Sequence, residues 1–215
     1  MEKIDIISNQ NSRQNSYSNL TNRQNKKKIC QDDISPAGEN LISSSVKNVN
    51  SYYLKFKTEN NDSAQKGLDV VTSTFADDTE SLTSFILASE ELKTTDEESF
   101  NNLFNIIGQM KEKGLNAQKW LKIFNSLDSI ELKRQFIISS SRLINEEADP
   151  GELEELYNNF LNKVNSVRFD KNLTKSQKNV SLESYFTSII TFQGPLSQSG
   201  MQKILTEAVN KQISG

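Results

Sequence analysis

Histidine does not occur in this chain. Its absence removes the side chain most often used as a general base near neutral pH and as a metal ligand, so triads, dyads and zinc sites lose their usual centre. Cysteine occurs once, at Cys30. No intrachain disulfide can form, the fold must stand on its core, and a reducing compartment fits. Cys30 sits in a polar stretch with no scaffold to place a base beside it or lower its pKa, so it reads as a bystander thiol. Gly108 and Gly114 do not open a phosphate loop, since no Gly-Lys-Ser/Thr follows, and no calcium loop of the EF-hand type is present. No stretch approaches the roughly 18 apolar residues of a membrane span, and the N-terminus has no apolar signal core, so neither membrane insertion nor Sec-type export is indicated.

Apolar residues are also scarce. They make up 34% of the chain, against roughly 45–50% in a typical globular domain. The deficit is concentrated at the start: residues 1–50 hold nine Asn, eight Ser and four Gln, with Tyr17 as the one aromatic. So little apolar surface cannot offset the conformational entropy of ordering the segment, and a disordered polar tail is expected over 1–50. Residues 1–30 carry Lys3, Arg13, Arg23, Lys26, Lys27 and Lys28 against Glu2 and Asp5, a local +4, whereas the whole chain is −3. The remainder is therefore acidic, which argues against nucleic acid as the main partner. Lys26 to Lys28 read as a solvated run.

What is present is amphipathic patterning. In Ser51-Tyr52-Tyr53-Leu54-Lys55-Phe56-Lys57, the residues Tyr52, Leu54 and Phe56 alternate with Tyr53, Lys55 and Lys57, as in a strand with one apolar face. No second strand pairs with it. The segment is either an edge that adds to a partner's sheet or a short piece lying on a helical core. From about residue 66 the period becomes helical. Leu82, Phe85, Ile86 and Leu92 form one stripe, with Leu68, Val71 and Phe75 upstream and acidic residues Asp77 to Glu80 at its start. Thr95 with Glu98 fits a capping box before Phe100, Leu103, Phe104, Ile107 and Met110, and Gly114 is placed to end that helix. Asn116 then caps Trp120, Leu121, Ile123, Phe124 and Leu127, and Asp128 with Glu131 precedes Leu132, Phe136, Ile137, Ser140, Leu143 and Ile144.

The strongest start signal is Asp149-Pro150-Gly151-Glu152, ahead of Leu153, Leu156, Tyr157, Phe160, Leu161, Val164 and Val167. Arg168 to Asn179 is polar and is expected to be a loop. Leu182, Tyr185, Phe186, Ile189 and Ile190 follow, ended by Gly194 and Pro195, and Met201, Ile204, Leu205, Ala208, Val209 and Ile213 make a last helix. The expected fold is all-α: a bundle of six or seven amphipathic helices over 66–215, after a tail at 1–50 and an extended linker at 51–65.

Catalysis finds no constellation. Glu90 with Glu91, and Glu146 with Glu147, fall on polar helix faces where solvation keeps carboxylates ordinary. No enzyme, cofactor or metal is expected. Met110 to Trp120 joins two helices through a glycine turn with Lys111, Lys113 and Lys119, as helix-turn-helix units do. Trp120, Leu121 and Phe124 leave little of the second helix to enter a groove, and no arginine on it reads guanine, so a structural hairpin is the preferred reading.

The polar start, the extended segment and the helix opening Asp77-Asp78-Thr79-Glu80-Ser81-Leu82-Thr83-Ser84-Phe85-Ile86-Leu87 together resemble the type III secretion gatekeepers, the family of YopN, MxiC, InvE and SepL. The likeness spans about residues 75–165 by pattern and the tail by composition. It implies a secretion signal in the tail, a chaperone bound through Tyr52, Leu54 and Phe56, and a helical scaffold from Leu82 to Val167. It further implies a non-enzymatic regulator of export in the bacterial cytoplasm, itself exported through the type III system. The chain is shorter than gatekeepers usually are and is expected to lack their last bundle, which a separate small protein of a split gatekeeper would complete. The same tail suits a secreted helical effector or translocon component that binds a host protein. A helix-turn-helix DNA regulator is the third reading.

Overall fold

The computed structural model describes residues 36–197, 199–204 and 206, so most of the tail expected over 1–50 lies outside the described residues. The chain divides after Ser43, and the packing described below belongs to the unit that begins at Ser44. Eight α-helices have defined ends: α1 Pro36–Thr58, α2 Asp62–Thr74, α3 Thr79–Thr95, α4 Glu97–Glu112, α5 Ala117–Asn125, α6 Ile130–Ile144, α7 Pro150–Phe169 and α8 Lys175–Thr191. Residues 199–204 are helical too, and among the described residues there is no strand. The all-α class is as expected.

The helix starts show how local chemistry sets these boundaries. Asn116 accepts from the Lys119 N–H, and Asp149 accepts from both Gly151 and Glu152 with Pro150 in the first turn, as the sequence suggests. Gly114 ends α4 at φ 72, in the left-handed region where a side chain would strain the backbone. Two caps fall one residue later than expected. Thr95 completes α3 by donating its hydroxyl to the Glu91 carbonyl, and Asp96 caps α4 through the Ser99 N–H at 3.0 Å. That backbone bond, reinforced by the Ser99 hydroxyl, holds the Asp96 carboxyl below its ordinary pKa. Ser129 rather than Asp128 caps α6, because Ser129 takes the extended backbone a cap needs and accepts from Leu132. The loop expected over 168–179 shrinks to the turn between Phe169 and Lys175. Thr174 and Gln177 make a full capping box, and the first turns of α8 read as polar because they face solvent.

The largest correction concerns residues 51–65. Ser51 to Thr58 is the end of α1, not an extended linker, and residues 36–50 of the expected tail belong to the same helix. Val49, Tyr52 and Phe56, spaced i, i+3 and i+7, are the buried face. Leu54 is the residue that creates the impression of alternation, and it points outward. The turn to α2 is made by Asn60, in the left-handed region at φ 52, and by Asn61, whose side chain accepts from the Ala64 N–H.

Helices α2 and α4 approach backbone to backbone. A Cβ built on Gly67 would lie 2.0 Å from the Phe104 carbonyl oxygen, and one on Gly108 would lie 1.9 Å from that of Ser63. Hydrogen on the α-carbon is what permits this distance. Helix α4 in turn packs on α3 and α6, α6 packs on α8, and α7 packs on α5, α6 and α8. The predicted stripes are the core: Phe85, Phe100, Phe104, Phe124, Phe136, Phe160 and Phe186 are fully buried, with Trp120.

The rings form a continuous chain. Tyr52 lies 5.3 Å from Phe104, which lies 5.9 Å from Phe85, itself 5.4 Å from Phe124. Trp120 stacks on Phe124 at 5.3 Å and on Phe136 at 4.8 Å, and Phe136 stacks on Phe160 at 5.4 Å. Such offset contacts add to area burial. Trp120 also donates its indole N–H to the Ser140 hydroxyl at 2.8 Å, so this buried donor has its acceptor.

Candidate functional site

The three residues with an expected partner role do not share a face. Tyr52 and Phe56 are each 1% exposed, seated against Phe100 and Phe104 of α4, while Leu54 is 64% exposed on the opposite side. The Tyr52 hydroxyl donates to the Glu90 carboxylate of α3 at 2.5 Å. Burial, with that hydrogen bond behind it, pushes the phenol well above its ordinary pKa, so it is neutral throughout the physiological range. Lys55 adds a bond to Asn101 at 3.0 Å and sits 4.9 Å above the Phe100 ring. Leu54 is left as the member of the trio that a partner reaches without moving α1.

The hairpin from Met110 to Trp120 is tied into the body. Lys113 donates to the Ile144 carbonyl and Lys119 to the Asn162 side chain. Ala117, Trp120, Leu121, Ile123 and Phe124 bury most of the short α5, so its exposed surface amounts to a narrow polar strip.

A second feature, which the sequence reading missed, is a cleft of about 240 Å³ where the end of α5, the start of α6, the end of α7 and the start of α8 meet. Its apolar wall is Leu127, Leu132, Leu182 and Phe169, the last of which is 71% exposed. Its polar wall is cationic: Arg168, Lys175 and Lys178, with Asp128 the one carboxylate among the lining residues. Lys175 pairs with Asp128 at 3.4 Å, and both are largely solvated. Arg168 donates to Asn165 at 2.8 Å and stands 5.0 Å over the Phe169 ring. Partial burial pulls the Arg168 pKa down.

Behind this wall lies Lys133, only 8% exposed, whose ammonium donates to the Leu127 carbonyl and lies 5.3 Å from the Phe124 ring. Burial lowers its pKa to about 8, against the attraction of Asp128 and Glu91 and with the repulsion of Arg168. The signal that could have found the cleft is thin. Arg168, Lys175 and Lys178 stand close together in the chain, but Leu127 and Asp128 come from another hairpin.

On the far side of α8, the Arg142 guanidinium closes the helix end. It donates to the carbonyls of Ile189 at 2.5 Å, Ile190 at 2.7 Å, Phe192, and Gly194 at 3.3 Å. The first two are acceptors that a helix C-terminus leaves unpaired, and the others belong to the cap and the turn that follows it.

Among the described residues no group of three or more Cys, Asp or Glu is arranged to hold a metal ion, and no helix is long and apolar enough to cross a membrane. Compared with protein-family models, with curated proteins and with solved structures, the chain matches none of them.

Proposed function

We propose that this chain is a non-enzymatic regulator of type III protein secretion that works, as gatekeepers do, by binding other proteins. Its partners on this reading are a secretion chaperone, proteins of the export apparatus, and a small protein that completes a split gatekeeper. It acts in the bacterial cytoplasm and is itself a substrate for export. The observation that carries the reading is the position of Tyr52 and Phe56. The segment that the likeness assigns to a chaperone is folded back onto α4 of the same chain. A chaperone that takes this segment in extended form must replace those ring contacts, so docking in cis and capture in trans exclude one another. Such competition converts chaperone binding into a change in the helical body, which suits a protein that holds export back until it is triggered.

Deleting the encoding gene tests this directly: effectors should then appear outside the cell without the normal trigger. Unchanged timing, with the protein itself recovered from host cytosol, would instead favour a secreted helical effector. Affinity purification of the full chain beside a version lacking residues 1–57 should show the chaperone lost with the Tyr52 to Phe56 segment and export-apparatus partners retained.

A further inference from the structure

We infer that the cleft between the α5–α6 and α7–α8 turns is a docking site for an acidic segment of a partner protein that carries an apolar anchor residue. The inference rests on the protein-binding reading above but not on the secretion system. Three observations point to this occupant. Arg168, Lys175, Lys178 and the deeper Lys133 surround a single lining carboxylate, Asp128, so the cleft is basic within a chain whose net charge is −3. Lys178 has no ion pair among the described residues, and Arg168 has an amide oxygen rather than a carboxylate as its partner. Its guanidinium therefore keeps donors for a carboxylate in the paired geometry that arginine favours.

The other half of the cleft is apolar. Leu127, Leu132 and Leu182 form a seat, and Phe169 stands at its rim, more exposed than any of the other large apolar side chains described. An aromatic ring held outside the core by the Arg168 cation is suited to close over an incoming side chain. The cleft volume of about 240 Å³ holds a side chain or two, not a domain. Asp128 occupies Lys175 in the free protein, and an arriving carboxylate competes for that lysine.

The test is a titration of the full chain with a fluorescent twelve-residue peptide in which Asp and Glu alternate with Leu and Phe. A twin peptide with Asn and Gln in place of the acids, a DNA duplex and vesicles of anionic lipid serve as competitors. The acidic peptide should bind, weaken as salt is raised, and outcompete the other three. Lys178→Gln should weaken binding about two- to five-fold, the range of a solvated ion pair. Phe169→Ser should also weaken it; Phe169 is exposed and the half-buried Lys178 has no ion pair among the described residues, so both changes leave the fold intact. Asp128→Asn should tighten binding, a gain that a merely structural role for these residues would not produce. Equal binding of the amide twin, preference for DNA or vesicles, or no binding at all would overturn the inference. None of those outcomes would alter the secretion phenotype, so this inference and the regulatory reading fail separately.

Discussion

Replacing Gly108 with alanine sets two large effects against each other. In the middle of a helix the change should stabilise, because alanine exceeds glycine by about 1 kcal/mol in helix propensity. Here the new methyl would lie 1.9 Å from the Ser63 carbonyl oxygen and 2.7 Å from its carbon. Both belong to the backbone of α2, so no rotamer relieves the clash. The helices must part by about 1 Å or more, and close-packed interiors respond to such intrusions at a cost of about 1–3 kcal/mol. With backbone on both sides, the upper part of that range applies, and a net loss of about 1–2 kcal/mol remains after the propensity gain. For a body of this size that lowers Tm by about 2–8 °C. Gly67→Ala should behave alike, since its Cβ would meet the Phe104 carbonyl at 2.0 Å. Once α2 and α4 have separated, the second alanine has less to displace, so the double variant should lose less than the sum of the two. Gly151→Ala provides the control, with nothing closer than 3.4 Å and a place in the first turn of α7. Urea denaturation of the full chain at fixed pH measures all four. A Gly108→Ala protein as stable as the parent, or more so, would refute the close approach.

The trio in α1 gives a sharp contrast: Tyr52→Ala and Phe56→Ala should each cost about 3–5 kcal/mol, and Leu54→Ala about 0.5 kcal/mol or less, by the same denaturation assay. A strand with one apolar face would make all three costly. Lys133 makes stability depend on pH. Its folded pKa of about 8 lies below the unfolded value of 10.5, so between those values the native state binds fewer protons. The lysine's penalty is then complete below pH 8 and fades as pH rises. The stability gap between Lys133→Met and the parent should accordingly narrow by about 2 kcal/mol from pH 7 to pH 9.5; a gap that stays constant would show that the ammonium is not desolvated. Arg142→Met strips four carbonyls at the end of α8 of their donor and should cost about 2–3 kcal/mol, with Arg142→Lys recovering only part. Amide exchange should show the loss first at residues 189–194. Ser140→Ala leaves the indole N–H of Trp120 buried without an acceptor and should cost about 1–3 kcal/mol, seen as a lower midpoint in urea.

The helical stripes from Leu82 to Ile189 were legible in the sequence because their apolar residues recur at helical spacing and each is followed by a turn residue with a physical role. Asn116, Asp149 with Pro150, and Gly114 all act as their types demand. The caps at Asp96 and Ser129 were missed by one position, since Thr-Asp and Asp-Ser each offer two candidates and only backbone geometry chooses. Helix α1 was hidden for a different reason. The buried face of its described side chains is Val49, Tyr52 and Phe56 in an Asn- and Ser-rich stretch, and Leu54 supplies a false period of two. The contact between Gly67 and Gly108 and the basic cleft both join residues distant in the chain. No local pattern announces such pairings, because they are set by how finished helices pack. Gly108 looked empty of function as a phosphate-loop residue, and its role lies in what it allows α2 to do.

The chain of rings from Tyr52 to Phe160 also has an optical consequence. The protein has one tryptophan, and it stands midway along that chain, wholly shielded from water. Light absorbed by tyrosine passes to a nearby tryptophan, and two of the five tyrosines, Tyr52 and Tyr53, ride on α1, so part of the emission from Trp120 reports where that helix lies. Lifting α1 away should dim tyrosine-excited emission while the indole stays dry and its colour unshifted; unfolding of the whole body should redden it. A cuvette thus separates release of one helix from loss of the fold, with no label attached.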